Sequence, residues 1–111
     1  EMESEKLKAE AGFLIVKSNR QNKRINFDDI LYIESLADYV KIHVVNQSPI
    51  VTKQKISKMQ LEITDAFLRI HRSFIINTNH LTSYGSDHVM IDQVKLPISR
   101  TYKQEAKSKL V

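Results

Sequence analysis

Apolar positions in this chain fall in short runs of four to seven residues, too short for core helices and bounded by turn-forming residues. After a polar start at 1–11, FLIVK (13–17) reads as a strand, SNRQNK (18–23) as a turn region and RINF (24–27) as the returning arm of a hairpin. Asp28-Asp29 interrupts and ILYIES (30–35) resumes. YVKIHVV (39–45) alternates with a period of two. Val40, Ile42 and Val44 share one face and Tyr39, Lys41 and His43 the other, the mark of a half-buried strand. Asn46-Gln47-Ser48-Pro49 turns the chain and IVTK (50–53) returns. Further on, FLRIH (67–71) and FIIN (74–77) are strands interrupted at Arg72-Ser73. LTSY (81–84), HVMI (88–91) and VKLPI (94–98) follow, separated by Gly85-Ser86-Asp87 and Asp92-Gln93.

Two places carry helix signals. Ser57-Lys58-Met59-Gln60 has the form of a capping box, which predicts a helix over 57–64 with Ile56 and Leu61 as its hydrophobic staple. Ser99 is placed to cap a last helix, along which Tyr102, Ala106 and Leu110 share a face at i, i+4, i+8 with Lys103 and Lys107 beside it. The expected fold is therefore mainly β, with many short antiparallel strands joined by tight turns and two short helices. Those helices lie some forty residues apart in the chain, which excludes a helix-turn-helix pair.

At 111 residues, one domain is expected, and 41% apolar residues are enough for its core. Residues 1–11 carry net −2 and read as a linker remnant. The domain is taken as 12–111, and with +4 on the whole chain it bears +6. The last seventeen residues alone hold +4, a field that attracts polyanions. No window approaches eighteen apolar residues, so no membrane span is expected. The absence of cysteine removes disulfides and thiolate metal sites and fits a reducing cytoplasm.

Catalytic and metal chemistry find little material. His43, His71, His80 and His88 show no metal-ligand spacing, and no metal or cofactor is expected. Asp28 and Asp29 would point to opposite faces of a strand and read as turn chemistry. Ser35, Ser73 and Ser99 lie in no nucleophile motif, and two glycines cannot build a phosphate-cradling loop. No enzyme activity is expected. Three polar breaks in the strand pattern remain: Ser35-Leu36-Ala37-Asp38 leading into Tyr39 and Lys41, His71-Arg72-Ser73, and Ser99-Arg100-Thr101 with Lys103 one turn on. By composition they are either three solvated loops or three edges turned toward an anionic partner.

The blocks FDDILYIESLADYVKIHV (27–44), AFLRIHRSFIINTNHL (66–81) and VKLPISRTYKQEAKSKL (94–110) closely resemble the LytTR DNA-binding domain, the output half of LytR/AlgR-type bacterial response regulators, from about Phe13 to Leu110. The resemblance implies an elongated antiparallel arrangement of three small sheets with short helices. It implies sequence-specific binding of duplex promoter DNA by loops that enter successive major grooves. It further implies paired direct repeats, dimers on DNA, a receiver domain outside this chain and a sensor kinase. Arg100 falls on the family's base-reading arginine, and its fork suits guanine O6 and N7. Arg72 falls on a polar DNA-facing position, and Tyr39 and Lys41 follow the loop that supplies the other base reader. Base contacts are thus expected from Arg100, Arg72 and Tyr39, and phosphate contacts from Lys103, Ser73, Lys41, Thr101 and His71. Arg69 and His71 either meet phosphate or only keep the edge soluble. The first loop departs from the family: some members have a longer version bearing histidine. Here Asp38 puts a negative charge where DNA approaches, and it would accept from cytosine N4, cap the loop or turn away. The readings outside this family are a single-stranded RNA-binding β module and a protein-interaction module. The first needs aromatics stacked on an open sheet face, and aromatics are only 7% of this chain.

Overall fold

A computed structural model describes residues 12–110. Among these residues, ten strands form three antiparallel sheets. Strands β1 (Phe13–Ser18) and β2 (Gln21–Asn26) make a hairpin. Strands β3 (Ile30–Leu36), β4 (Tyr39–Val44), β5 (Ile50–Lys53), β6 (Phe67–His71) and β7 (Phe74–Asn77) form a five-stranded sheet in the order β5-β4-β3-β7-β6. Strands β8 (Leu81–Tyr84), β9 (His88–Ile91) and β10 (Val94–Pro97) form a three-stranded meander. Helix α1 spans Ile56–Gln60, and a 3-10 turn at Arg100–Tyr102 runs into helix α2 (Lys103–Leu110). The molecule measures 39 × 29 × 25 Å. The mainly β, multi-sheet architecture with two short helices is the one expected.

The central sheet is apolar on both faces, which is why the molecule has two cores. Val40, Ile42, Val44, Ile33 and Ile75 face the β1–β2 hairpin and α1, where Leu14, Val16, Ile25, Ile56 and Met59 close over them. Tyr32, Leu68, Ile70 and Ile76 face the meander and α2, meeting Val89, Ile91, Leu96 and Ala106. Each fully buried aliphatic side chain contributes roughly 1.5–3 kcal/mol relative to exposure. The alternation in β4 is as expected, with Val40, Ile42 and Val44 buried and Tyr39, Lys41 and His43 turned the other way.

Local expectations fail at three points. The polar stretch 18–23 is not a long turn. Strand pairing runs down to Ser18 opposite Gln21, leaving only Asn19 and Arg20 to turn the chain, both at positive φ (51° and 63°). That mirror-image geometry matches strand twist, and it lets polar residues pair as strand. The second failure is the box at Ser57. Helix α1 starts at Ile56, its N-cap is Lys55, and no side chain caps it. Burial of Ile56 and Met59 at i, i+3 places this helix, while Leu61, the expected staple, is 85% exposed. The third is Ser99. It holds the N-cap position, but its hydroxyl makes no cap bond because the tight 3-10 turn sends the Tyr102 N–H to the Ser99 carbonyl. Among the described residues, Ser99 Oγ is the one buried side-chain atom without a hydrogen-bond partner.

Candidate nucleic-acid interface

Sheet order brings the three polar breaks to one end of the molecule. The turn between β3 and β4 is two residues long, Ala37-Asp38, closed by the pair Leu36 and Tyr39. The turn between β6 and β7 is also two residues, Arg72-Ser73, closed by His71 and Phe74. Because β3 pairs antiparallel with β7, the end of β3 lies beside the start of β7, so both turns leave the sheet at the same edge. The Ser35 N–H donates to the Ser73 carbonyl at 2.8 Å and ties them together. At a strand spacing of about 4.8 Å, the centres of the two turns are roughly 10 Å apart.

The third break joins this row through a β-bulge. In β6, Arg69 pairs with Ile75 and His71 with Phe74, so Ile70 is the extra residue. A bulge frees a backbone group and re-aims its neighbours. Here the Ile70 carbonyl accepts from the Ser99 N–H at 2.9 Å, which lays the Ser99–Arg100 segment along the outer edge of β6. By the same spacing, it sits roughly 7 Å beyond the β6–β7 turn.

One guanidinium holds the corner. Arg69 donates from Nε to the His71 carbonyl (3.1 Å), from Nη2 to the Arg72 carbonyl (2.7 Å) and from Nη1 to Gln60 Oε1 at the end of α1 (3.0 Å). It also lies 5.4 Å from the centre of the Tyr102 ring, in the turn that carries Arg100. Arg69 is therefore a positioning residue, with three of its five N–H donors engaged within the molecule. His71 Nδ1 accepts the Ser73 N–H at 3.0 Å, which leaves its Nε2 to donate outward, and its ring lies against Phe74.

Arg72, Arg100, Thr101, Lys103 and Tyr39 are exposed, and Lys41, His71 and Ser73 are half-buried. Tyr39, Arg72 and Arg100 thus come from three different segments yet stand on one end. Lys41 is set further back, opposite Glu34 in the register. Asp38 is exposed at the tip of its turn, beside Ala37 at φ 56°. Among the described residues the only side-chain ion pairs are His43–Glu34 and His88–Asp87, so none of the arginines or lysines at this end is neutralised by a carboxylate. The exposed aromatics among these residues are Tyr39 and Tyr84, which stand on different sheets and form no stacking platform. Among the same residues no three His, Cys, Asp or Glu side chains gather as metal ligands. Among the described residues no helix is long and apolar enough to cross a membrane.

What the sequence did not reveal was the clamp. Arg69 offered only an arginine between Leu68 and Ile70, three positions before a turn, and that pattern does not distinguish an inward from an outward guanidinium.

The β scaffold thus gathers, on turns at one end, cations that no carboxylate of the described residues pairs with, an edge suited to an anionic partner. Residues 20–111 match the model of the LytTr DNA-binding domain, and the chain belongs to that family. It is 33% identical over 93 residues to the sensory transduction protein LytT of Bacillus anthracis and 30% identical over 98 residues to LytT of Bacillus cereus. Each comparison covers 78% of this chain and 37% of the relative. This chain therefore spans little more than a third of the length of those relatives. A solved LytTr DNA-binding domain from Bacillus cereus shares the fold, with a TM-score of 0.74 at 22% identity, over 89% of this chain and 96% of the other.

Proposed function

We propose that residues 12–111 form the sequence-specific duplex-DNA-binding output domain of a bacterial two-component response regulator acting on transcription in the cytoplasm. The remainder of that protein would be a receiver domain addressed by a sensor kinase. The observation that carries this reading is the convergence of three short, rigidly tied edges bearing Tyr39, Arg72 and Arg100 on one end of the central sheet. Arg100, Arg72 and Tyr39 read base edges, and Lys103, Ser73, Lys41, Thr101 and His71 meet phosphate. Backbone ties at all three edges reduce the entropy lost on binding. Between the outermost turns the row measures roughly 17 Å, half of a B-DNA repeat of ~34 Å. Long side chains at its two ends extend the reach toward successive major grooves on one side of the duplex. Two copies on paired direct repeats would then lie on the same face of DNA. Binding and positioning are the whole task, and no catalytic step is assigned.

Selection of bound duplexes with the purified chain supplies the cognate site. On that site Arg100→Ala is expected to cost about 1–3 kcal/mol and relax one base preference, with little change on a scrambled duplex. Equal loss on both would remove Arg100 from base reading. Lys103→Ala is expected to weaken all sequences alike and lower the salt slope by about one.

A further inference from the structure

The basic end continues past the row of three edges. An open cleft of about 550 Å³ lies between the β1–β2 hairpin and β5. Lys17, Arg20, Lys23 and Lys53 line it, and Tyr39 forms its border with the β3–β4 turn. Among the described residues no carboxylate lines it, and none of its four cations is ion-paired. The cleft is anchored: the Thr52 hydroxyl, itself buried, donates to the Lys17 carbonyl at 2.6 Å and fastens β1 to β5. Lys53 pairs with Tyr39 in the register, so the cleft opens at the same end of the sheet.

The hairpin tip adds an independent observation. Arg20 sits at φ 63° in the second position of a two-residue turn, where glycine or asparagine is the usual occupant. A left-handed backbone is strained for a non-glycine residue, and such strain gathers at functional positions. Arginine there places a guanidinium on the cleft wall at the expense of stability.

We infer that this cleft is a second phosphate-binding surface, taking the DNA backbone that flanks the cognate site on the side of the β3–β4 turn. It rests on the duplex-DNA reading and enlarges the footprint beyond the three base-reading edges. Charge complementarity and continuity through Tyr39 select a polyphosphate backbone as the occupant. The contacts carry no sequence information, since phosphates are the same at every base pair.

The test uses the full 111-residue chain and the selected cognate duplex in two lengths, one with flanks on both sides and one trimmed beside the β3–β4 turn. Arg20→Gly relieves the strained φ, so thermal denaturation should show no loss of stability. On the long duplex this variant should bind about five-fold more weakly at ~0.15 M salt, with a salt slope lower by about 0.9. The triple variant Lys17→Ala, Lys23→Ala, Lys53→Ala should lower the slope by about two to three. Both should keep the wild-type ratio of cognate to scrambled affinity. Both should match wild type on the trimmed duplex. An unchanged slope on the long duplex, with normal discrimination by the wild type, overturns this inference alone and leaves the cleft to an acidic protein surface. Failure of the wild type to bind any duplex overturns both readings.

Discussion

Arg69 shows why a charge count does not assign a role. Sequence left two options for it, phosphate contact or edge solubility, and the structure gives it a third. Its guanidinium fastens the carbonyls of His71 and Arg72 to α1 and to the ring of Tyr102. A phosphate contact and a clamp differ in their salt dependence. Arg69→Gln should lower stability by about 1–2 kcal/mol in urea unfolding, because charge-assisted hydrogen bonds are lost. It should weaken cognate DNA binding by misplacing Arg72 and Arg100, yet leave the salt slope unchanged. A slope reduced by about 0.9 would show instead that Arg69 neutralises a phosphate.

At the scale of elements, small polar residues decide where strands meet. Asn77 closes β7 and is 1% exposed. Its Nδ2 donates to the carbonyls of Phe27 (3.1 Å) and Ile30 (2.9 Å), and its Oδ1 accepts from the Asn79 N–H (3.0 Å). One amide thus joins the exit of the β1–β2 hairpin to the start of β3 and shapes the next turn. In the sequence it was only the last letter of FIIN. Each buried polar group left without a partner costs about 1–3 kcal/mol. Asn77→Ala leaves the Ile30 carbonyl and the Asn79 N–H without their amide partner, while the Phe27 carbonyl keeps the Ile30 N–H, and should lower stability by about 2 kcal/mol or more in chemical denaturation. A loss below ~1 kcal/mol would mean that water replaces the amide. The same scale explains the failed capping box: at α1, two buried side chains outweigh one surface hydroxyl, since a cap contributes about 1 kcal/mol and each core side chain more.

For the molecule as a whole, the titration of Tyr32 bears on stability at alkaline pH. Burial, and then the negative charge of Glu34, raise the Tyr32 phenol above its usual value of 10.0. The folded state therefore holds the proton more tightly than the unfolded state does. This contribution is fully present below pH ~10 and is lost as pH rises through the folded value. Hydrogen bonding to His88 lowers the carboxyl of Asp87, so its contribution is present above the usual value of 3.8 and is lost as pH falls through the folded one. Being fully exposed, Asp87 should matter little. Urea unfolding of wild type and Tyr32→Phe between pH ~9 and ~11 should show the wild type losing stability faster. Parallel curves would mean that the phenol ionises without cost. The ring itself stacks on His43 at 4.1 Å and meets Phe74 at 6.4 Å, so phenylalanine retains its packing.

The strand list was legible because alternation is a local signal: a residue with both faces of a strand to choose from declares its side by being apolar or polar. Thus β3 to β7 lie within a residue or two of the runs read from the letters, and the family blocks marked the same three breaks. What the letters could not hold is which strands lie side by side. The pairing of β3 with β7, the bulge at Ile70 that catches Ser99, and the closing of β1 against β5 join residues some thirty to forty positions apart. Those pairings put Tyr39, Arg72 and Arg100 at one end, turned Arg69 inward and opened a basic cleft beside them. Local chemistry determined the elements, and long-range backbone pairing, which depends on the whole core closing at once, decided what those elements present to a partner.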